Sequence, residues 1–122
     1  MISYVTLGTR DLPRAKAFYD ALLGEVGAQH YMETERFVLW GTKPGQPLLG
    51  IALPYDGKPA SAGNGTMIAL TCKDKAEVDR LYRKALELGG TDEGPAGARS
   101  ANFYAGYWRD LDGNKLAFVY VG

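Results

Sequence analysis

A chain of 122 residues, 46% apolar and 23% charged, is long enough to bury a core without disulfide or metal staples. Fourteen basic side chains balance fourteen acidic ones. That argues against a nucleic-acid surface, which would normally be basic, and no apolar run approaches the roughly 20 residues of a membrane span. The stretch MISYVTLGTRD carries no basic region followed by an apolar one, so no secretory signal is read. Cys72 is the only cysteine and His30 the only histidine. An internal disulfide is thereby ruled out, and the expected location is a reducing cytoplasm.

In chain order, residues 2–8 alternate as a strand, with Val5 and Leu7 on one side and Tyr4 and Thr6 on the other. Asp11 is a good N-cap and Pro13 falls in the first turn, where a missing N–H costs nothing. Leu12, Ala15, Phe18, Tyr19, Leu22 and Leu23 then recur at helical spacing up to Gly24 and Gly27. Strands are expected over 29–33, 36–41 and 48–53, the last two joined by GTKPGQP. A linker rich in Gly, Pro, Ala and Ser covers 55–65.

A second strand opens at Met67–Cys72, with Ile68, Leu70 and Cys72 on one face and Met67, Ala69 and Thr71 on the other. Asp74 with Glu77 predicts a capping-box-like helix start, and Val78, Leu81, Tyr82, Ala85 and Leu88 form the buried stripe. A short strand near 91–93 and a mobile loop over Gly94–Ala101 are expected next. The chain closes with strands 103–109 and 115–121 around the turn Asp110–Asn114.

The two halves repeat one plan. Tyr4–Gly27 and Met67–Gly90 align without gaps at an offset of 63 residues, counted from Tyr4 to Met67 and from Gly27 to Gly90. Leu7, Asp11, Tyr19 and Gly27 meet identical residues at Leu70, Asp74, Tyr82 and Gly90. An internal duplication constrains fold more than any single motif. The predicted fold class is therefore α+β: two tandem βαβββ modules, about 1–54 and 66–122, within one domain over 1–122. They are expected to form a cupped mixed β-sheet with the helices outside.

The order and spacing of YVTLGTRDLPRAKAFYDALL, GNGT before the second copy, and the closing RDLDGNKLAFV resemble the vicinal oxygen chelate superfamily, the glyoxalase, bleomycin-resistance and extradiol-dioxygenase group. The resemblance covers essentially the whole chain, with Leu111 where the closing motif usually has proline. It implies a divalent metal held by a histidine on the first strand of each module and a carboxylate on the last. At those positions stand Tyr4, Met67 and Ala117, and between Phe37 and Tyr55 there is no Asp, Glu, His or Cys for the fourth. About three N, O or S donors must converge within roughly 2–2.3 Å of such an ion, so no metal and no other cofactor is expected.

The resemblance instead implies a cup lined by Tyr4, Thr6, Met67, Ala69, Ala117 and Tyr107. Trp40 is a further candidate, as are Phe37, Phe103 and Tyr104, and Arg99 would reach in from the loop. A concave, largely apolar cavity with a few hydroxyls suits a small, partly aromatic molecule. Two readings of these residues stay open: Tyr4 and Met67 line an open site, or they plug a closed core. Arg99 either meets an anionic ligand or is solvated. The expected function is small-molecule binding, with sequestration or resistance as the nearest family role. The alternatives are a glyoxalase-like lyase or isomerase using Tyr4 and Tyr107, and an interaction module with a filled cup. Unpaired strand edges and the habits of the family predict a homodimer. His30 is read as an edge histidine, Cys72 as a buried inert thiol, and Asp110–Asn114 as a hairpin turn and no calcium loop.

Overall fold

The computed structural model describes residues 1–122. The chain divides into two compact units, Met1–Ser61 and Ala62–Gly122, and the boundary falls inside the stretch read as linker. In the first unit β1 (Tyr4–Gly8), α1 (Leu12–Gly24), β2 (Gln29–Glu33), β3 (Phe37–Gly41) and β4 (Leu48–Ala52) follow in order. The second repeats this with β5 (Ile68–Thr71), α2 (Lys75–Glu87), β6 (Thr91–Ser100), β7 (Phe103–Arg109) and β8 (Lys115–Val121). Each unit holds one four-stranded sheet, ordered β1-β4-β3-β2 in the first and β5-β8-β7-β6 in the second. The first strand runs parallel to the last, and the other pairs are antiparallel. The duplication seen in the sequence is a duplication of topology.

Local chemistry explains the helix starts. The Asp11 carboxylate accepts from Arg14 N at 3.0 Å, which satisfies one of the donors a helix N-terminus leaves open. Just before it, Thr9 is fully buried. Its hydroxyl donates to Asp11 O and accepts from Asp11 N, both at 3.1 Å. At α2 the Asp74 carboxylate accepts from Glu77 N at 2.8 Å while the Glu77 carboxylate accepts from Lys73 N at 3.1 Å. The expected capping box is there, with its return bond shifted one residue upstream.

Each helix closes one face of its sheet. Under α1 lie Leu7, Val38, Trp40, Leu49 and Ile51 together with Phe18, Tyr19 and Leu22 of the helix itself, all buried. Under α2 lie Trp108, Leu116 and Phe118 with Val78, Leu81 and Ala85. Trp108 stacks on Phe118 with ring centroids 5.4 Å apart. Burying each such side chain contributes about 1.5–3 kcal/mol, and the pattern of two alternating strand faces against a helical stripe is what the sequence announced.

One element departs from expectation. The stretch Gly94–Ala101, read as a mobile loop, is mostly strand: β6 runs from Thr91 through Ser100 against β7. Its Gly, Pro and Ala content has a low strand propensity, yet the unpaired edge of β7 supplies partners. The register slips between Asp92 and Gly94, between Gly94 and Gly97, and between Ala98 and Ser100. Repeated bulges are how a glycine-rich segment follows a regular neighbour.

Candidate ligand-binding faces

Strand alternation leaves one face of each sheet without a helix. In the first unit, Tyr4, Thr6 and Gly8 share this open face with Leu48, Gly50 and Ala52 of β4 and Phe37, Leu39 and Gly41 of β3, as the pairing register requires. Tyr4 is 56% exposed there. The central row runs Thr6, Gly50, Leu39, Met32 across the four strands. Glycine at 50 suits a crowded spot: a Cβ would lie 2.4 Å from Leu39 Cδ2, which would have to move, and 3.1 Å from Val5 O. Leu39 lies over that gap and is itself buried.

In the second unit the equivalent row runs Ala69, Ala117, Tyr107, Gly94. Tyr107 is half-buried on the side of β7 opposite Trp108 and Gly106. A Cβ on Gly106 would touch the Tyr82 ring of α2, which fixes Tyr107 on the open side. Met67, just before β5, is 40% exposed. Two cations approach the Tyr107 ring: the Arg99 guanidinium at 5.3 Å and the Lys115 ammonium at 5.6 Å from its centroid. Arg109 extends along the same face and pairs with Glu93 at 2.5 Å.

The structure thus gathers Tyr4 and Thr6 on one unit's open face, and Ala69, Tyr107, Ala117 and Arg99 on the other's. Trp40 does not join them. It is buried beneath α1, its indole N–H donates to Asp20 at 2.9 Å, and its ring packs against Tyr19. The reason is register: Trp40 pairs with Leu49 as Trp108 pairs with Leu116, so both tryptophans point into helix-covered cores. Tyr104 is corrected likewise, since its hydroxyl donates to Asp79 of α2 at 2.6 Å, which also raises its pKa. Phe37 and Phe103 fall on the open faces by the same register.

The remaining titratable groups serve the scaffold. His30 sits on edge strand β2, with Nε2 at 2.6 Å from Asp20 and Nδ1 at 3.2 Å from Glu33. Its two carboxylate neighbours lie on opposite ring nitrogens and cannot converge on one ion. Hydrogen bonding to Asp92 and burial, burial foremost, push Tyr82 up to about 12. Burial pushes the Cys72 thiol up to about 12 as well, which makes it a poor nucleophile. The Asp110 carboxylate is spent inside its hairpin, accepting from Asp112 N, Asn114 N and Asn114 Nδ2 at 2.9–3.0 Å. Gly113, at φ +86°, completes that turn. Two clefts of about 430 and 540 Å³ flank the N-terminal end of α1, the first between Arg10, Arg36 and Lys58, the second beside Lys16 and Glu33. Neither includes a residue that the sequence put forward.

The model of the Glyoxalase/Bleomycin resistance protein/Dioxygenase superfamily matches residues 1–118. The chain belongs to this superfamily. A glyoxalase/bleomycin resistance protein from Albidiferax ferrireducens is 33% identical, with a TM-score of 0.87 over 98% of this chain and 97% of that one. A hypothetical protein from S. aureus is 25% identical, with a TM-score of 0.75 over 98% and 92%. A lactoylglutathione lyase from Agrobacterium tumefaciens, 23% identical over 98% and 92% with a TM-score of 0.72, shares the fold. No curated protein matches the chain.

The metal that the superfamily implies does not fit the residues present. Tyr4, Met67 and Ala117 occupy the expected ligand positions. Neither the open face of the first sheet nor strands β5, β8 and β7 of the second add an imidazole or a carboxylate. No group of three His, Cys, Asp or Glu side chains anywhere in the structure could hold an ion. A phenol, a thioether and a methyl group are not a donor set for Zn, Ni, Mn or Fe.

Proposed function

We propose that this superfamily member binds a small, partly apolar or aromatic molecule on its open sheet faces without a divalent metal, in a sequestration or resistance role. The observation that carries this reading is the row Ala69, Ala117, Tyr107: an exposed alanine and a half-buried aromatic ring flank the fully buried Ala117, with no metal donor at the position the family uses for one. Exposure of Tyr4 and Met67, two large apolar side chains, adds surface of the kind that ligand sites use. The 33% identity to a glyoxalase/bleomycin resistance protein supports the same class. A two-fold dimer is part of this reading, because edge strands such as β2 are usually paired or covered; no helix is long and apolar enough to cross a membrane.

The test joins two measurements. Elemental analysis of the purified protein is expected to give no stoichiometric transition metal. Thermal-shift screening against small aromatic and antibiotic libraries is expected to raise the melting temperature with a subset of compounds, since a ligand of the native state alone stabilises it. About one tightly held Zn, Ni, Mn or Fe per chain, lost on chelation, would overturn the reading.

A further inference from the structure

We infer that the ligand of the second unit's open face is an anion: a carboxylate, phosphonate or phosphate carried on an apolar or aromatic body. The inference rests on the reading of that face as a binding surface and adds the chemical class. Its ground is a pair of cations around Tyr107 that no carboxylate neutralises. Arg99 is held by backbone alone, Nη1 donating to Gly97 O at 2.9 Å and Nη2 to Pro95 O at 2.6 Å. Those bonds fix the guanidinium over the Tyr107 ring and leave its charge in place. Lys115 brings a second charge to the same ring and pairs with no acidic side chain.

The nearby carboxylates are committed elsewhere. Glu93 pairs with Arg109, and Asp92 accepts from the Tyr82 hydroxyl and from Gly94 N. In a chain whose charges balance overall, this leaves a local excess of two positive charges beside an aromatic ring and the exposed Ala69. Gly94, at φ +151°, adopts a backbone conformation that other residues rarely take, and at Gly97 a Cβ would crowd the Arg99 guanidinium at 3.3 Å. A planar guanidinium fixed in advance accepts a carboxylate or phosphonate at little ordering cost, while the ammonium supplies a point charge beside it.

The experiment titrates the full chain with benzoate, phenylphosphonate, benzamide and benzylamine. It follows Tyr107 and Arg99 side-chain resonances by NMR and measures affinities by calorimetry. Benzoate and phenylphosphonate are expected to shift both residues and to bind roughly tenfold or more tightly than benzamide, with benzylamine weakest. The preference is expected to fall with added salt and to vanish in Arg99→Gln/Lys115→Gln. Both side chains are exposed or half-buried and outside the core, and Tyr107→Phe, which keeps the ring, is expected to retain the preference. Benzamide binding at Tyr107 as tightly as benzoate would overturn the anionic class and leave open-face binding intact. Binding of benzoate with Tyr107 and Arg99 unshifted, or a preference that survives the double substitution, overturns the inference too. No binding by any of the four overturns both it and the reading beneath it.

Discussion

The two units share one topology and differ in what they expose. In the first, the central open-face row is Thr6, Gly50, Leu39, Met32, and a leucine lies over a glycine with almost no room to spare. In the second the same positions read Ala69, Ala117, Tyr107, Gly94, and cations gather on the ring. A duplicated backbone fixes where side chains stand and leaves their chemistry free. One copy uses that freedom for an apolar surface, the other for a charged aromatic one.

The comparison is broken most sharply at the tryptophans. Trp40 and Trp108 occupy equivalent buried sites, so Trp40→Ala and Trp108→Ala are each expected to cost about 3–5 kcal/mol, measured by urea denaturation. A cost under about 1 kcal/mol at Trp40 would return it to the open face. Next come the row centres. Gly50→Ala is expected to cost about 1–3 kcal/mol, because its Cβ forces the buried Leu39 to repack and crowds the Val5 carbonyl. The reverse change in the other copy, Ala117→Gly, is expected to cost about 1–2 kcal/mol, through chain entropy and the loss of a fully buried methyl.

A smaller contrast lies just before the helices, where Thr9 N donates to Ala52 O and Cys72 N to Val119 O. Thr9→Val should lose about 1 kcal/mol, since the hydroxyl's two bonds to Asp11 disappear. At its counterpart, burial holds the Cys72 thiol at about 12 against an ordinary 9.0. Alkylation by iodoacetamide at pH 8 is therefore expected to be on the order of a thousandfold slower in the native protein than in denaturant. Labelling at equal rates would show the thiol is not buried.

The smallest expected effect is acid sensitivity in the first unit. The hydrogen bond from Lys16 chiefly holds Glu33 below its ordinary 4.5. A depressed carboxylate contributes stability above its unfolded pKa and loses it as pH falls through the folded value. Glu33→Gln should flatten the loss of stability below about pH 4.5 only slightly, as both partners are exposed. A large flattening would mean that the pair is shielded from solvent.

How much of this was legible beforehand depends on the range of the interactions involved. Caps at Asp11 and Asp74, the glycine helix stops and the strand alternation are local, and the sequence carried them in full. The repeat of topology was legible as well, because it needs only spacing, while the positions at Tyr4, Met67 and Ala117 where the family holds its metal came from the resemblance and not from spacing. Tyr107 was put forward by the resemblance, and alternation then sets it opposite Trp108 and Ala117 opposite Leu116, as the register has them. Trp40 could have been placed too, by carrying the repeat past the helix to β3, where Trp40 and Trp108 hold matching registers. Beyond α1 and α2, however, the copies differ in strand length, so a constant offset no longer finds the match. The start of β6 near 91–93 was expected, but its run on to Ser100 and the backbone bonds that seat Arg99 lay outside reach for another reason. The segment GPAGARS has little intrinsic strand preference, and it is pairing with the regular strand β7, across the short turn Ala101–Asn102 and through repeated bulges, that draws it into the sheet and brings the guanidinium to Tyr107.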